Sequence, residues 1–82
     1  MSDLKDCRNE INAIDEQMAA LFEQRMQVSK KVAEYKQANG LPIRDKKTES
    51  EKIARQKELI QDDALRSYYP LFQQNVMDIS SS

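Results

Sequence analysis

The sequence predicts an all-α fold of three helices, the first of them very long, assembled as a homodimer. Three observations carry this reading. Leu4, Cys7, Ile11, Ile14, Met18, Leu21, Val28, Val32 and Tyr35 follow one another at alternating spacings of three and four, with Arg25 standing where the pattern asks for one more apolar residue. One glycine and two prolines in 82 residues are too few breakers for many short elements. No stretch alternates apolar and polar residues as a half-buried strand does.

The first helix is predicted from about Asp3 to about Ala38, stopped by Asn39-Gly40 with Pro42 as a second barrier. At 1.5 Å per residue it spans roughly 54 Å, whereas a compact chain of this length has a radius of gyration of only about 12 Å and a diameter near 30 Å. Such a helix overshoots a monomeric domain and leaves its apolar seam uncovered, which predicts a two-fold dimer. "GLPIRD" is the one clear loop. After it, either Asp45 or Thr48 can cap a second helix, and Thr48-Glu49-Ser50-Glu51 fits a capping box. Ile53, Ala54, Lys57 and Ile60 give that helix one modest apolar face. "QDDAL" interrupts the pattern. Leu65, Tyr69, Phe72, Val76 and Ile79 then return to helical spacing; either Ser67 caps this helix with Pro70 in its first turn, or Pro70 kinks it. Residues 1–82 read as one domain.

Composition excludes several classes of function. The formal net charge of −1 and the lack of a long basic run argue against nucleic acid or an anionic membrane as partner. No apolar run approaches a membrane span, and the N-terminus has no signal-peptide pattern, which together predict a cytoplasmic protein. Cys7 is the single cysteine and there is no histidine, so ordinary hydrolase chemistry and a zinc site lose their usual residues. No metal and no cofactor is expected.

Arg25 and Lys36 fall within about 20° of each other around the first helix, with Ser29 and Val32 between them. Periodicity alone favours Arg25 as a residue that sets register by pairing with an acid on another helix. Arg8 lies roughly 25 Å along the axis from Arg25 and about 100° around it, so the two meet at one small ligand only if Arg8 comes from a second, antiparallel subunit. Asp45 and Glu49 recur on one face at the start of the second helix, where capping and helix-dipole complementarity account for them equally well.

Taken together, Arg8, Ile14-Asp15, Arg25-Met26, "VAEYK" ending in Lys36, "GLPIRD" ending in Asp45, and Glu49 resemble the all-helical (type II) chorismate mutases over nearly the whole chain. The resemblance implies an intertwined homodimer of three-helix subunits with two active sites built from both chains. It implies that Arg25 and the partner's Arg8 grip the two carboxylates of chorismate. Lys36 would face the ether oxygen of the breaking bond, while Glu49 and the backbone near Asp45 hold the ring hydroxyl. Lys36, Arg25 and Glu49 are the expected catalytic residues, and Arg8, Asp45 and Ser80 complete the expected substrate-binding set. The reaction is a one-step Claisen rearrangement to prephenate, on the way to phenylalanine and tyrosine. It needs no nucleophile, general base, metal or cofactor.

The sequence departs from the family pattern in two places. Thr48 stands where the family usually has an arginine. A glutamine expected four residues after the serine matched by Ser80 would fall beyond Ser82, and Gln73 and Gln74 lie about two turns too early to replace it. The ending on three serines therefore suggests a domain cut from a longer polypeptide, such as a fusion with prephenate dehydratase, with reduced activity. Two alternatives stay open: a non-catalytic helical dimerisation or regulatory module, and isochorismate pyruvate lyase, for which the "GLPIRDKKTE" loop is the poorer match.

Overall fold

The computed structural model describes residues 3–80, and every regular element among them is helical: α1 (Leu4–Ala38), α2 (Lys46–Lys57), α3 (Asp63–Arg66) and α4 (Tyr69–Ser80). Met1, Ser2, Ser81 and Ser82 lie outside the described residues, and with them part of the serine run on which the expectation of a cut domain rests.

Local chemistry sets the ends of α1. Asp3 is extended and its carboxylate accepts the Asp6 N–H at 2.8 Å, satisfying one of the orphan donors of the first turn. At the other end Gly40 takes φ 66°, its N–H donates to Gln37 O at 3.4 Å, and the Leu41 N–H donates to Lys36 O at 2.8 Å. These two bonds form a Schellman stop, which needs a left-handed residue and therefore favours glycine.

α2 starts at Asp45 and not at the Thr48 capping box. The Asp45 carboxylate accepts both the Thr48 N–H at 3.1 Å and the Thr48 hydroxyl at 2.8 Å, so Thr48 serves as a donor to the cap. The interruption at "QDDAL" contains a short helix that the three-helix reading leaves out. Asp62 caps α3 by accepting the Ala64 and Leu65 N–H groups, and Arg66 pairs with Asp63 at 3.0 Å. Ser67 closes α3 instead of opening α4: its backbone is helical and its hydroxyl donates to Ala64 O at 3.0 Å. α4 begins at Tyr69, with Pro70 in the first turn, where a missing N–H breaks no helical bond.

α4 packs on both α2 and α1 and is the common wall of the fold. Among the described residues, Ile53 of α2 and Met77 of α4 are the buried apolar ones, and Met77 has no exposed surface at all. The seam of α1 stays open, with Ile14 53% and Leu21 63% exposed. The chain measures 57 × 26 × 15 Å with a radius of gyration of 16.1 Å, against about 12 Å for a compact chain of this length. Its accessible surface is 6851 Å² for 9.5 kDa, whereas a compact monomer of that mass exposes about 5000 Å².

Candidate active site

One face of α1 carries Arg25, Ser29, Val32 and Lys36 in successive turns. The half-buried Arg25 donates from Nη1 to Ser80 Oγ at 2.9 Å and to Ser29 Oγ at 3.5 Å. Ser80 is the last residue of α4, and its own hydroxyl donates to Met77 O at 3.3 Å. The end of α4 is thus hydrogen-bonded to the middle of α1. Further along the same face, Lys36 Nζ donates to Ile43 O at 3.2 Å, which ties the loop to the last turn of α1. The ammonium has three donors, and this bond uses one.

The next residue of the loop carries the densest charge cluster. Arg44 donates from Nε to Glu49 Oε2 at 2.9 Å and from Nη2 to Glu49 Oε1 at 3.0 Å, a fork-to-carboxylate pair. The same Nη2 also donates to the Asp78 carboxylate of α4. Glu49 is only 4% exposed, so its charge requires a partner of this kind. Asp78 accepts in addition from Gln74 Nε2 at 3.0 Å.

The electrostatics follow these bonds. The hydrogen bond to Glu49, and then that to Asp78, hold the Arg44 guanidinium above its ordinary range. The Arg44 bond, followed by that from Gln74, holds the Asp78 carboxyl below the usual carboxylate range. Asp45 is also lowered, first by the Thr48 N–H and then by the Thr48 hydroxyl, with a smaller contribution from the charge of Lys36.

The structure therefore brings Arg25, Lys36, Glu49 and Ser80 to one side of the molecule through α1, the loop and α4. Asp45 lies beside them, but its carboxylate is directed into the α2 cap. Arg8 is exposed near the start of α1 and, on the helical rise, about 25 Å from Arg25. Arg44 and Asp78 belong to this cluster and are not identified by sequence reasoning. Arg44 reads as an ordinary loop residue, and the only signal that could have found it is a cation five positions before an acid at a helix start.

A groove of about 640 Å³ lies between α1 and α4, lined mainly by Met18, Phe22, Met26, Phe72 and Val76, with Arg25 also in its lining. Gln73 also reaches it and is buried, its Oε1 accepting from Tyr69 OH at 3.3 Å. Lys36, Arg44 and Glu49 do not line the groove. An apolar channel suits side chains better than a dianion, so the polar cluster is the better candidate for chemistry. Among the described residues, no cluster of His, Cys, Asp and Glu is placed to hold a metal ion, and no helix is long and apolar enough to cross a membrane.

A family model described as "Chorismate mutase type II" matches residues 7–81. No curated protein and no solved structure matches the chain.

Proposed function

We propose, for a chain that belongs to the type II chorismate mutase family, that it converts chorismate to prephenate as a homodimer by electrostatic preorganisation. The observation that carries this reading is the convergence of Arg25, Lys36, Glu49 and Ser80, drawn from α1, α2 and α4, on one side of the fold.

The reaction breaks an ether C–O bond as a C–C bond forms in one concerted, cyclic step, and negative charge develops on the ether oxygen. Arg25 binds one carboxylate of the substrate through a guanidinium fork already aligned by Ser80 and Ser29. Arg8 of the second subunit takes the other carboxylate, because α1 is too long for its own Arg8 to reach. Gripping both carboxylates selects the compact conformer in which the bonding carbons meet. Lys36 donates to the ether oxygen as its charge grows. Glu49, with the loop backbone near Asp45, accepts from the ring hydroxyl.

The dimer has its own support. The open seam of α1 and the apolar groove beside α4 are surfaces that a second antiparallel α1 would cover. The surface in excess of a compact monomer is about 1800 Å², ample for a stable interface of about 800 Å² per partner. Location in the cytoplasm, a role in phenylalanine and tyrosine synthesis, and fusion to prephenate dehydratase go with the same proposal.

The non-catalytic module remains the second reading, and one observation favours it. Arg25 is already bonded by two serines and Glu49 by Arg44, as groups with a purely structural role would be. Loss of chorismate absorbance, with prephenate identified as the product, decides between the two. Turnover well above the uncatalysed rate supports the mutase; a folded dimer that leaves chorismate unchanged makes the cluster structural.

A further inference from the structure

The loop between α1 and α2 is held from both sides, and the two attachments meet at neighbouring residues. Lys36 grips the carbonyl of Ile43, and the side chain of the next residue, Arg44, grips Glu49 and Asp78. Lys36 and Glu49 lie on different helices and share no direct bond among the described residues. Their separation is transmitted through the peptide between Ile43 and Arg44 and through the Arg44 side chain.

We propose that Arg44 is the positioning residue of the site: its fork sets the direction of the Glu49 carboxylate relative to the Lys36 ammonium, and Asp78 keeps the fork in place. This inference rests on the mutase reading above. Two parallel N–H bonds fix both the distance and the plane of the carboxylate, which a point charge on a flexible stem does not do. The third bond, to Asp78, comes from an independent helix and shares the Nη2 that also bonds Glu49, so the guanidinium is anchored to α4 as well as to α2. It also occupies a cation that would otherwise compete with Arg25 for a substrate carboxylate. Around this point, Lys36, Arg44 and Lys46 face Asp45, Glu49 and Asp78, so the cluster is close to neutral before the dianion arrives.

The position of Thr48 is relevant here. Its backbone N–H and hydroxyl are both used on Asp45, so the Thr48 side chain is committed to the cap. The cation beside Glu49 is supplied from position 44, on the other side of the cap.

A double-mutant cycle on the full chain tests this, with chorismate turnover measured for wild type, Arg44→Gln, Glu49→Gln and the double variant. If Arg44 acts through Glu49, each single substitution lowers kcat about tenfold, and the double variant is no slower than Glu49→Gln alone. Losses that multiply in the double variant overturn the proposal, because Arg44 then acts independently of Glu49. Arg44→Lys serves as the second variant, since it retains the charge beside the buried acid and preserves the fold. It is expected to keep wild-type helix content and KM within about threefold while kcat falls by about the same tenfold as in Arg44→Gln. Full kcat in Arg44→Lys also overturns the proposal, because charge without the fork would then suffice. Wild-type chain that leaves chorismate unchanged overturns the mutase reading itself, and is recognised before any variant is compared.

Discussion

Lys36→Ala separates catalysis from folding more cleanly than any other single change. In the resting structure the ammonium makes one exposed hydrogen bond, to Ile43 O at 3.2 Å. Losing an exposed bond of this kind costs about 1 kcal/mol or less, and alanine is the best helix former for the last turn of α1. At about 4–8 °C per kcal/mol for a domain of this size, the melting temperature should fall by no more than about 8 °C. The catalytic loss is of another order. A preorganised donor aimed at a developing oxyanion contributes about 2.7–4 kcal/mol, a factor of about 100–1000 in kcat. The assay is chorismate consumption at saturating substrate, with circular dichroism melts of the same samples. A kcat within about threefold of wild type, with helix content intact, would refute the assignment of Lys36 to the ether oxygen.

Three further outcomes follow from the geometry. Mixing Arg8→Ala chains with Arg25→Ala chains, each inactive alone, should restore about one quarter of wild-type activity after subunit exchange, because half of the random dimers hold one intact site; no recovery would place both arginines in one subunit's site. Met77→Ala should destabilise the fold by about 2–5 kcal/mol, since Met77 is completely buried where α4 packs on its neighbours; chemical denaturation measures this, and a loss below 1 kcal/mol would deny Met77 its role in the core. Asp45 and Asp78 both titrate below their ordinary value, so the stability they add is complete above the unfolded value of about 3.9 and is lost as pH falls through their lower folded values. Thermal melts between pH 7 and pH 3 should therefore show a decline below about pH 4 that is shallower in Asp45→Asn/Asp78→Asn, and an unchanged slope would deny both groups this role.

The helical character of the chain was legible because it is written in short-range signals. The unbroken three-and-four spacing from Leu4 to Tyr35 and the Asn39-Gly40 stop each depend only on residues within a turn or two. Where two local signals competed, sequence could not choose between them. Asp45 and Thr48 are both good caps, and the choice fell to Asp45 because Thr48 offers it two donors at once. Ser67, read as the cap that opens the last helix, instead turns its hydroxyl back to Ala64 O and closes α3. The short helix α3 had a readable cap in Asp62, but four residues carry too little periodicity to announce a helix.

In the site, the sequence placed Arg25 and Lys36 on one stripe by helical geometry alone. Arg44 was missed because a cation five positions before an acid is too common a spacing to stand out, and its second partner, Asp78, is 34 positions away, where no spacing rule connects a loop residue to the last helix. The same holds for Ser80, which reaches Arg25 across 55 positions. Family likeness suggested a role for Ser80, whereas Arg44 came into view only through the packing of α4 on α2.

The Schellman stop at Gly40 has a consequence for how this protein can be altered. Lys36 accepts the Leu41 N–H through its carbonyl and holds Ile43 through its side chain, so one residue is bonded to the loop at two points. The segment from Leu41 to Arg44 behaves as a ruler cut to a fixed length. Surface loops are the usual place for tags, linkers and insertions, yet here a single added residue would move the Arg44 guanidinium away from Glu49 while leaving Lys36 where it was. Length is therefore the property under constraint in this loop, and an insertion there would cost function even where the fold tolerates it.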